Sequence, residues 1–334
     1  MTLTIIGKGD LHLLLSFIEG DFSSYELYLP PFEDELIQQQ AVALPKYLKI
    51  SSIHNPAWVN INNRRCSFNL ADPGLVGEAS IESLHKTVAL AKKLEARVVV
   101  IHGAAYNAFT ETREKALQLV AKRVRLLYDQ QVNLCFENDV LWHNLYYYRR
   151  ALLTNGHDFQ DLQKYIGEKL RITADFEHFN VSFHFAEFVK NLGGEYSFLQ
   201  KYSEISQKPF ERDIQEFIKN NYHNLQAGFK RHLHDFFIQH QQQIEHIHIN
   251  GSDCCNFIFN PKTTLPFLGE HLPLRFKQGE ISDKLDYDYI ASLLHLLPEQ
   301  KEIQIALEIW PDDLNKYRAI SLESKEILRS YLNK

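Results

Sequence analysis

Short apolar runs alternate along this chain with stretches in which apolar residues recur every three or four positions. The runs are Leu3–Ile6, Tyr25–Leu29, Tyr47–His54, Arg97–Ile101, Gln131–Phe136, Leu170–Ala174, Ile244–Ile249 and Ile303–Leu307. Continuous apolar runs of this length, rich in branched side chains, predict strands buried on both faces. Pro30–Pro31 and Pro56 close the second and third runs. Between the runs, Leu11–Glu19 reads as helix. Ile81, Leu84, Val88, Ala91 and Leu94 fall at helical spacing, as do Leu117, Val120, Val124 and Leu127. Eight strands separated by amphipathic helices predict a parallel sheet covered by helices and closed into a (β/α)8 barrel. No linker or strong internal repeat divides the chain, so residues 1–334 read as a single domain.

One segment exceeds the repeat. Val181–Gln243, between the sixth and seventh strands, is far longer than one crossover helix requires. It contains twelve Phe or Tyr residues and balances seven Lys/Arg against seven Asp/Glu. It is expected to form two or three helices near the barrel mouth, divided at Gly193–Gly194 and at Pro209. Such a helical insertion fits a lid, a pocket wall, or a surface packed on the barrel or on a second copy of the chain. A homo-oligomer is therefore left open.

Composition narrows the partners. Net charge is −6 and no Lys/Arg block occurs, so a duplex nucleic-acid footprint is not expected. The four cysteines, Cys66, Cys135, Cys254 and Cys255, form no CxxC pair, and reduced thiols in a cytoplasmic protein are the simplest reading. The N-terminal apolar run is broken by Lys8, Asp10 and His12, so neither a signal peptide nor a membrane span is expected.

The candidate chemistry lies at the strand tips. Six of the eight runs end in His54, His102, Glu137, Asp175, His248 and Glu308, with His178 and His271 close behind. A barrel gathers its strand C-termini around one mouth, so these groups would converge. Nitrogen and carboxylate donors without thiolate suit a divalent Zn, Mn, Co or Fe ion. His248 is preferred over His246, which shares its face of the strand, because it lies nearer the tip. His246 then reads as a buried, hydrogen-bonded partner.

Several segments together resemble the xylose isomerase-like TIM barrel superfamily. They are Ile53-His54-Asn55-Pro56, Val99-Val100-Ile101-His102-Gly103, Phe136-Glu137-Asn138, Asp175-Phe176-Glu177-His178-Phe179-Asn180, His246-Ile247-His248-Ile249-Asn250 and Leu307-Glu308-Ile309. That superfamily includes sugar-phosphate isomerases and epimerases as well as endonuclease IV-like proteins of AP endonuclease family 2. The epimerase branch implies one divalent cation on Glu137, Asp175, His248 and Glu308. The endonuclease branch implies a polynuclear zinc cluster, with His54, His102, His178 and His271 as additional metal or substrate-binding residues. One aspartate of that cluster falls on Gly269, beside Glu270, a departure from the three-metal pattern.

The leading expectation is a metal-dependent isomerase or epimerase of a small sugar or sugar-phosphate-like polyol, acting through an enediolate. Glu137 and Glu308 would be its catalytic pair, one removing a proton and the other returning it. The alternatives are a phosphodiester or phosphoester hydrolase using several metals, and a non-catalytic metal-binding barrel. Trp58, Trp142, Trp310 and Phe179 follow strand ends and either line the mouth or pack beneath the insertion. Arg275 and Lys277 read first as solvated loop charges, with contact to a phosphate or sugar oxygen as the alternative.

Overall fold

Apolar runs of branched residues bury well only when their backbones pair, and here eight of them pair in one ring. The computed structural model describes residues 1–30, 35–108, 110–128, 131–140, 149–202, 209–252, 271–274, 285–310 and 314–333. In chain order the strands are β1 (Thr2–Gly9), β2 (Tyr25–Tyr28), β3 (Ile50–His54), β4 (Trp58–Ile61), β5 (Arg64–Ser67), β6 (Val98–Ile101), β7 (Ala105–Asn107), β8 (Asn133–Glu137), β9 (Arg149–Ala151), β10 (Arg171–Asp175), β11 (Ile244–Ile249) and β12 (Glu302–Leu307). β1, β2, β3, β6, β8, β10, β11 and β12 pair in parallel in that order, and β12 returns to β1. All eight apolar runs are therefore barrel strands. The register sets Tyr28 beside His54 and Asp175 beside His248, so the tips share one rim.

The helices are α1 (Leu11–Leu14), α2 (Glu35–Val42), α3 (Leu75–Lys93), α4 (Arg113–Arg125), α5 (Gly156–Ile166), α6 (Phe176–Asn191), α7 (Glu195–Lys201), α8 (Pro209–His240), α9 (Tyr287–Leu294) and α10 (Tyr317–Leu332). The periodic faces of α3 and α4 are buried as their spacing predicts. α1 is shorter than Leu11–Glu19. Asp10 caps its start, the chain then tightens through Phe17 N to Leu14 O, and it turns at Gly20 with φ +92°. No described helix is long and apolar enough to cross a membrane.

Two antiparallel two-stranded sheets, the β4–β5 hairpin and the β7–β9 pair, stand outside the barrel and were not predicted. Their strands are too short for a periodic signal, and β5 is largely exposed. The β4–β5 turn uses Asn62 and Asn63 at φ 50° and 61°, a conformation that asparagine tolerates.

The long segment after β10 has two layers. Phe176, Phe179, Phe229, Leu233, Phe236 and Phe237 belong to the main core around the barrel. Val181, Phe185, Phe188, Phe198, Ile214 and Ile218 form a second core farther along α6, α7 and α8. α6 begins with no intervening loop, because Asp175, the last residue of β10, is also its N-cap. Inside the barrel, buried Glu26, Ser52, Thr173 and His246 lie one pleat below the rim on their strands, while Val98, Val100 and Cys135 form an apolar patch.

Candidate active site

Strand alternation turns each tip residue inward, and the parallel register brings the tips together. His248 lies at the centre of the resulting network. Its Nδ1 is 2.7 Å from Glu137 Oε1, 2.9 Å from Glu308 Oε2 and 3.6 Å from Asp175 Oδ2. One donor atom from each of Glu137, Asp175, His248 and Glu308 lies within 4.8 Å of the others, and all four residues are buried. Asp175 divides its carboxylate between two tasks. Oδ1 accepts the backbone N–H of His178 at 2.7 Å, whereas Oδ2 is buried with no hydrogen bond.

Two charged residues of the site were not nominated from the sequence. Lys8, 3% exposed, reaches Glu308 Oε1 at 2.6 Å and Glu26 Oε1 at 3.0 Å. Glu26, fully buried, also meets His246 Nε2 at 2.6 Å, His248 Nε2 at 3.0 Å and Ser52 Oγ at 3.0 Å. It thus fixes the side of the His248 ring that faces away from Glu137, the usual means of orienting a ligating imidazole. His246 has the buried, hydrogen-bonded place expected for it. The available signals were weak: a lone acid inside the apolar run Tyr25–Leu29, and a lysine two residues beyond Ile6 on the same strand face.

Charge governs the protonation of this network. Burial alone would raise the Glu137 and Glu308 carboxyls, but His248 beside both, with Lys8 on Glu308, holds them well below the usual range. Burial would likewise raise Glu26, and Lys8, His248 and His246 reverse that effect. Burial and Lys8 would lower His248, yet the Glu26, Glu137 and Glu308 carboxylates hold it well above its ordinary value. The protonated imidazole thereby occupies the position of a cation among carboxylates.

The remaining histidines form a girdle. His54 Nδ1 lies 2.8 Å from Asn55 O, and its Nε2 is hydrogen-bonded to Glu137 Oε2 at 3.1 Å. His102 Nδ1 is 3.8 Å from the same oxygen. Burial and then His54 push His102 down to about 3, leaving it neutral. His54, His102 and Glu137 also offer three donors within 4.8 Å of one another. His178 Nδ1 donates to Asn138 O at 2.8 Å, and its ring is 6.1 Å from that of His271. Every sequence-nominated site residue therefore lies at this mouth.

The aromatic candidates separate. Trp310 meets Tyr28, whose ring contacts His54, and so stands by the mouth. Trp58 lies on the β4–β5 hairpin under Arg65, 4.6 Å from the ring centre. Phe179 is fully buried against Phe236 and takes the packing role. Trp142, Cys254, Cys255, Gly269, Glu270, Arg275 and Lys277 lie outside the described residues.

Similarity to known proteins agrees with this geometry at the level of fold. A D-tagatose 3-epimerase-like protein is 16% identical, with a TM-score of 0.58, over 100% of this chain and 97% of that one. The IOLI protein with a bound zinc atom is 11% identical, with a TM-score of 0.58, over 100% and 98%. Endonuclease IV from Thermus thermophilus is 14% identical, with a TM-score of 0.50, over 99% and 98%. No curated protein matches the sequence significantly. The model of the xylose isomerase-like TIM barrel matches residues 16–331, and the chain belongs to that family.

Proposed function

We propose that this protein is a divalent-metal-dependent isomerase or epimerase of a small sugar or sugar-phosphate-like polyol, working through an enediolate. The observation that carries the reading is the convergence of Glu137, Asp175, His248 and Glu308 at the mouth. The donor set fits a divalent ion. Four buried carboxylates, including Glu26, meet Lys8 as the only permanently charged base in the described network, and Asp175 Oδ2 is buried without a hydrogen bond. An ion on the four tip residues would supply Lewis acidity toward neighbouring carbonyl and hydroxyl oxygens.

The chain's own groups would do the rest. Glu137 and Glu308 both approach His248 Nδ1, at 2.7 and 2.9 Å, and would serve a substrate bound there as proton acceptor and donor. Lys8 holds Glu308 Oε1 and leaves Oε2 directed to the centre. Trp310 and Tyr28 offer apolar surface to the sugar ring or chain.

The second reading is hydrolysis of a small phosphoester. It is favoured by the adjoining His54, His102 and Glu137 donors, which would allow more than one ion to act on a phosphate. Incubating ketoses and ketose phosphates with the metal-loaded protein in D2O separates the two. The isomerase reading expects deuterium at the carbon beside the carbonyl, lost in Glu137→Gln and Glu308→Gln. Phosphate release without deuterium uptake would support the hydrolase, and neither product would remove both readings. Glu137→Gln, Asp175→Asn and Glu308→Gln should each lower metal content, because an amide is a poorer ligand than a carboxylate. Wild-type content in all three would remove the site itself.

A further inference from the structure

The β4–β5 hairpin follows the tip of β3 and stands at the rim beside Tyr28, the last residue of β2. Its two faces differ. Val59, Ile61 and Cys66 pack on the main core. Cross-strand pairing sets Trp58 against Ser67 and Asn60 against Arg65, so these four share the opposite face.

That face carries donors without acceptors. The Arg65 guanidinium lies 4.6 Å from the Trp58 ring centre, and no carboxylate of the described residues pairs with it. Stacking holds a guanidinium flat and leaves the N–H groups of its rim to donate. Asn60 Nδ2 is buried without a hydrogen-bond partner. A buried amide nitrogen left unpaired is costly, which points to an acceptor supplied from outside the chain. Tyr28 completes the group. Its hydroxyl oxygen takes the backbone hydrogen bond of Ala57, and the charges of Lys8 and Arg65 both reach it. With the oxygen engaged, the proton is what it has left to give. A sugar hydroxyl asks for an acceptor as well as a donor, whereas a phosphate asks only for donors and charge.

The place also suits a substrate held at the tip residues. The Tyr28 ring is 5.2 Å from that of His54, whose Nε2 is 3.1 Å from Glu137 Oε2. The centre is lined by buried carboxylates, and the Arg65 charge stands outside it. We propose that Arg65, Asn60 and Tyr28 bind the phosphate of a phosphorylated ketose whose carbonyl end lies at Glu137, Asp175, His248 and Glu308. The assignment rests on the isomerase reading and narrows it from sugars to sugar phosphates. These three residues act by binding and take no part in proton transfer.

The test is titration calorimetry on the full-length protein as purified and after chelation. The chelated form decides, because no ion then holds a phosphate at the centre. The probes are D-ribulose 5-phosphate, D-ribulose, D-gluconate and inorganic phosphate. D-ribulose 5-phosphate should bind about tenfold or more tighter than D-ribulose, the scale of charge-assisted hydrogen bonds, and inorganic phosphate should compete with it. Arg65→Ala should abolish the preference and Arg65→Lys should restore part of it. Arg64→Ala removes the same charge from the other face of the strand and should leave the preference intact. Melting checks the fold of each variant. Equal affinity for D-ribulose 5-phosphate and D-ribulose overturns the proposal, as do equal effects of Arg65→Ala and Arg64→Ala, or no binding of any probe. Tighter binding of D-gluconate would assign the face to a carboxylate and overturn it too. Deuterium uptake reports on the central site separately. Arg65-dependent phosphate binding without uptake removes the isomerase reading and leaves the anion site. Uptake from free and phosphorylated ketose alike, unchanged in Arg65→Ala, does the reverse.

Discussion

Lys8 is the residue on which the charge of the site turns. Burial alone would lower its ammonium, but Glu308 and Glu26 outweigh that and raise it. Replacing one member of a buried ion network leaves its partners without compensation. Lys8→Met should therefore destabilise the metal-free protein by about 3–5 kcal/mol, read from urea unfolding. A loss below about 1 kcal/mol, the range of an exposed ion pair, would mean that water reaches Glu26 and Glu308. The strand-tip residues were legible in the sequence because they end apolar runs. Lys8 and Glu26 were not, because one charge within a strand gives no sign of facing inward until the ring has closed.

At the scale of elements, a surface tie joins the last helix to the first crossover. Arg318 of α10 gives Asp21 two hydrogen bonds, at 2.7 and 2.8 Å. The Arg318 hydrogen bond holds the Asp21 carboxyl below its ordinary value, against the effect of burial. A carboxyl held lower in the fold than in the unfolded chain adds stability that is complete above its unfolded pKa. That stability is lost as pH falls through the folded value. Wild type should thus lose more melting temperature than Arg318→Gln between about pH 5 and about pH 3. Parallel acid limbs would show that the tie contributes nothing. The barrel strands and the α3 and α4 faces were legible from periodicity. The two small antiparallel sheets were not, since their strands of three or four residues are too short to carry a periodic signal.

At the scale of the molecule, the layered segment after β10 defines what can move. Its lower layer is part of the main core, so a lid would involve the second core as a unit. Hydrogen exchange should find residues 181–202 and 212–225 less protected than 226–240, with metal and a substrate analogue raising the protection of the first two. Protection that changes only with protein concentration would make this surface a subunit contact. High, constant protection would make it a fixed wall. With a net charge of −6, the protein should not bind duplex DNA tightly at physiological salt. Nanomolar binding with cleavage at abasic sites would place the hydrolase reading first.

The sequence by itself determined the eight strands, their parallel order and the nomination of residues at their tips, because buried periodicity and chain order are local properties. It also nominated Glu137, Asp175, His248 and Glu308 as a set, through the resemblance of their segments to the family's motifs. Only the tertiary structure decided which carboxylate oxygen faces which imidazole, that Asp175 both caps α6 and turns a bare oxygen to the centre, and that Asn60 and Arg65 share one face of a hairpin beside Tyr28. The strands of the ring bring together residues as distant as Lys8 and Glu308. Distances between side chains from different strands are set by closure, register and twist, which belong to the whole barrel and to no single segment.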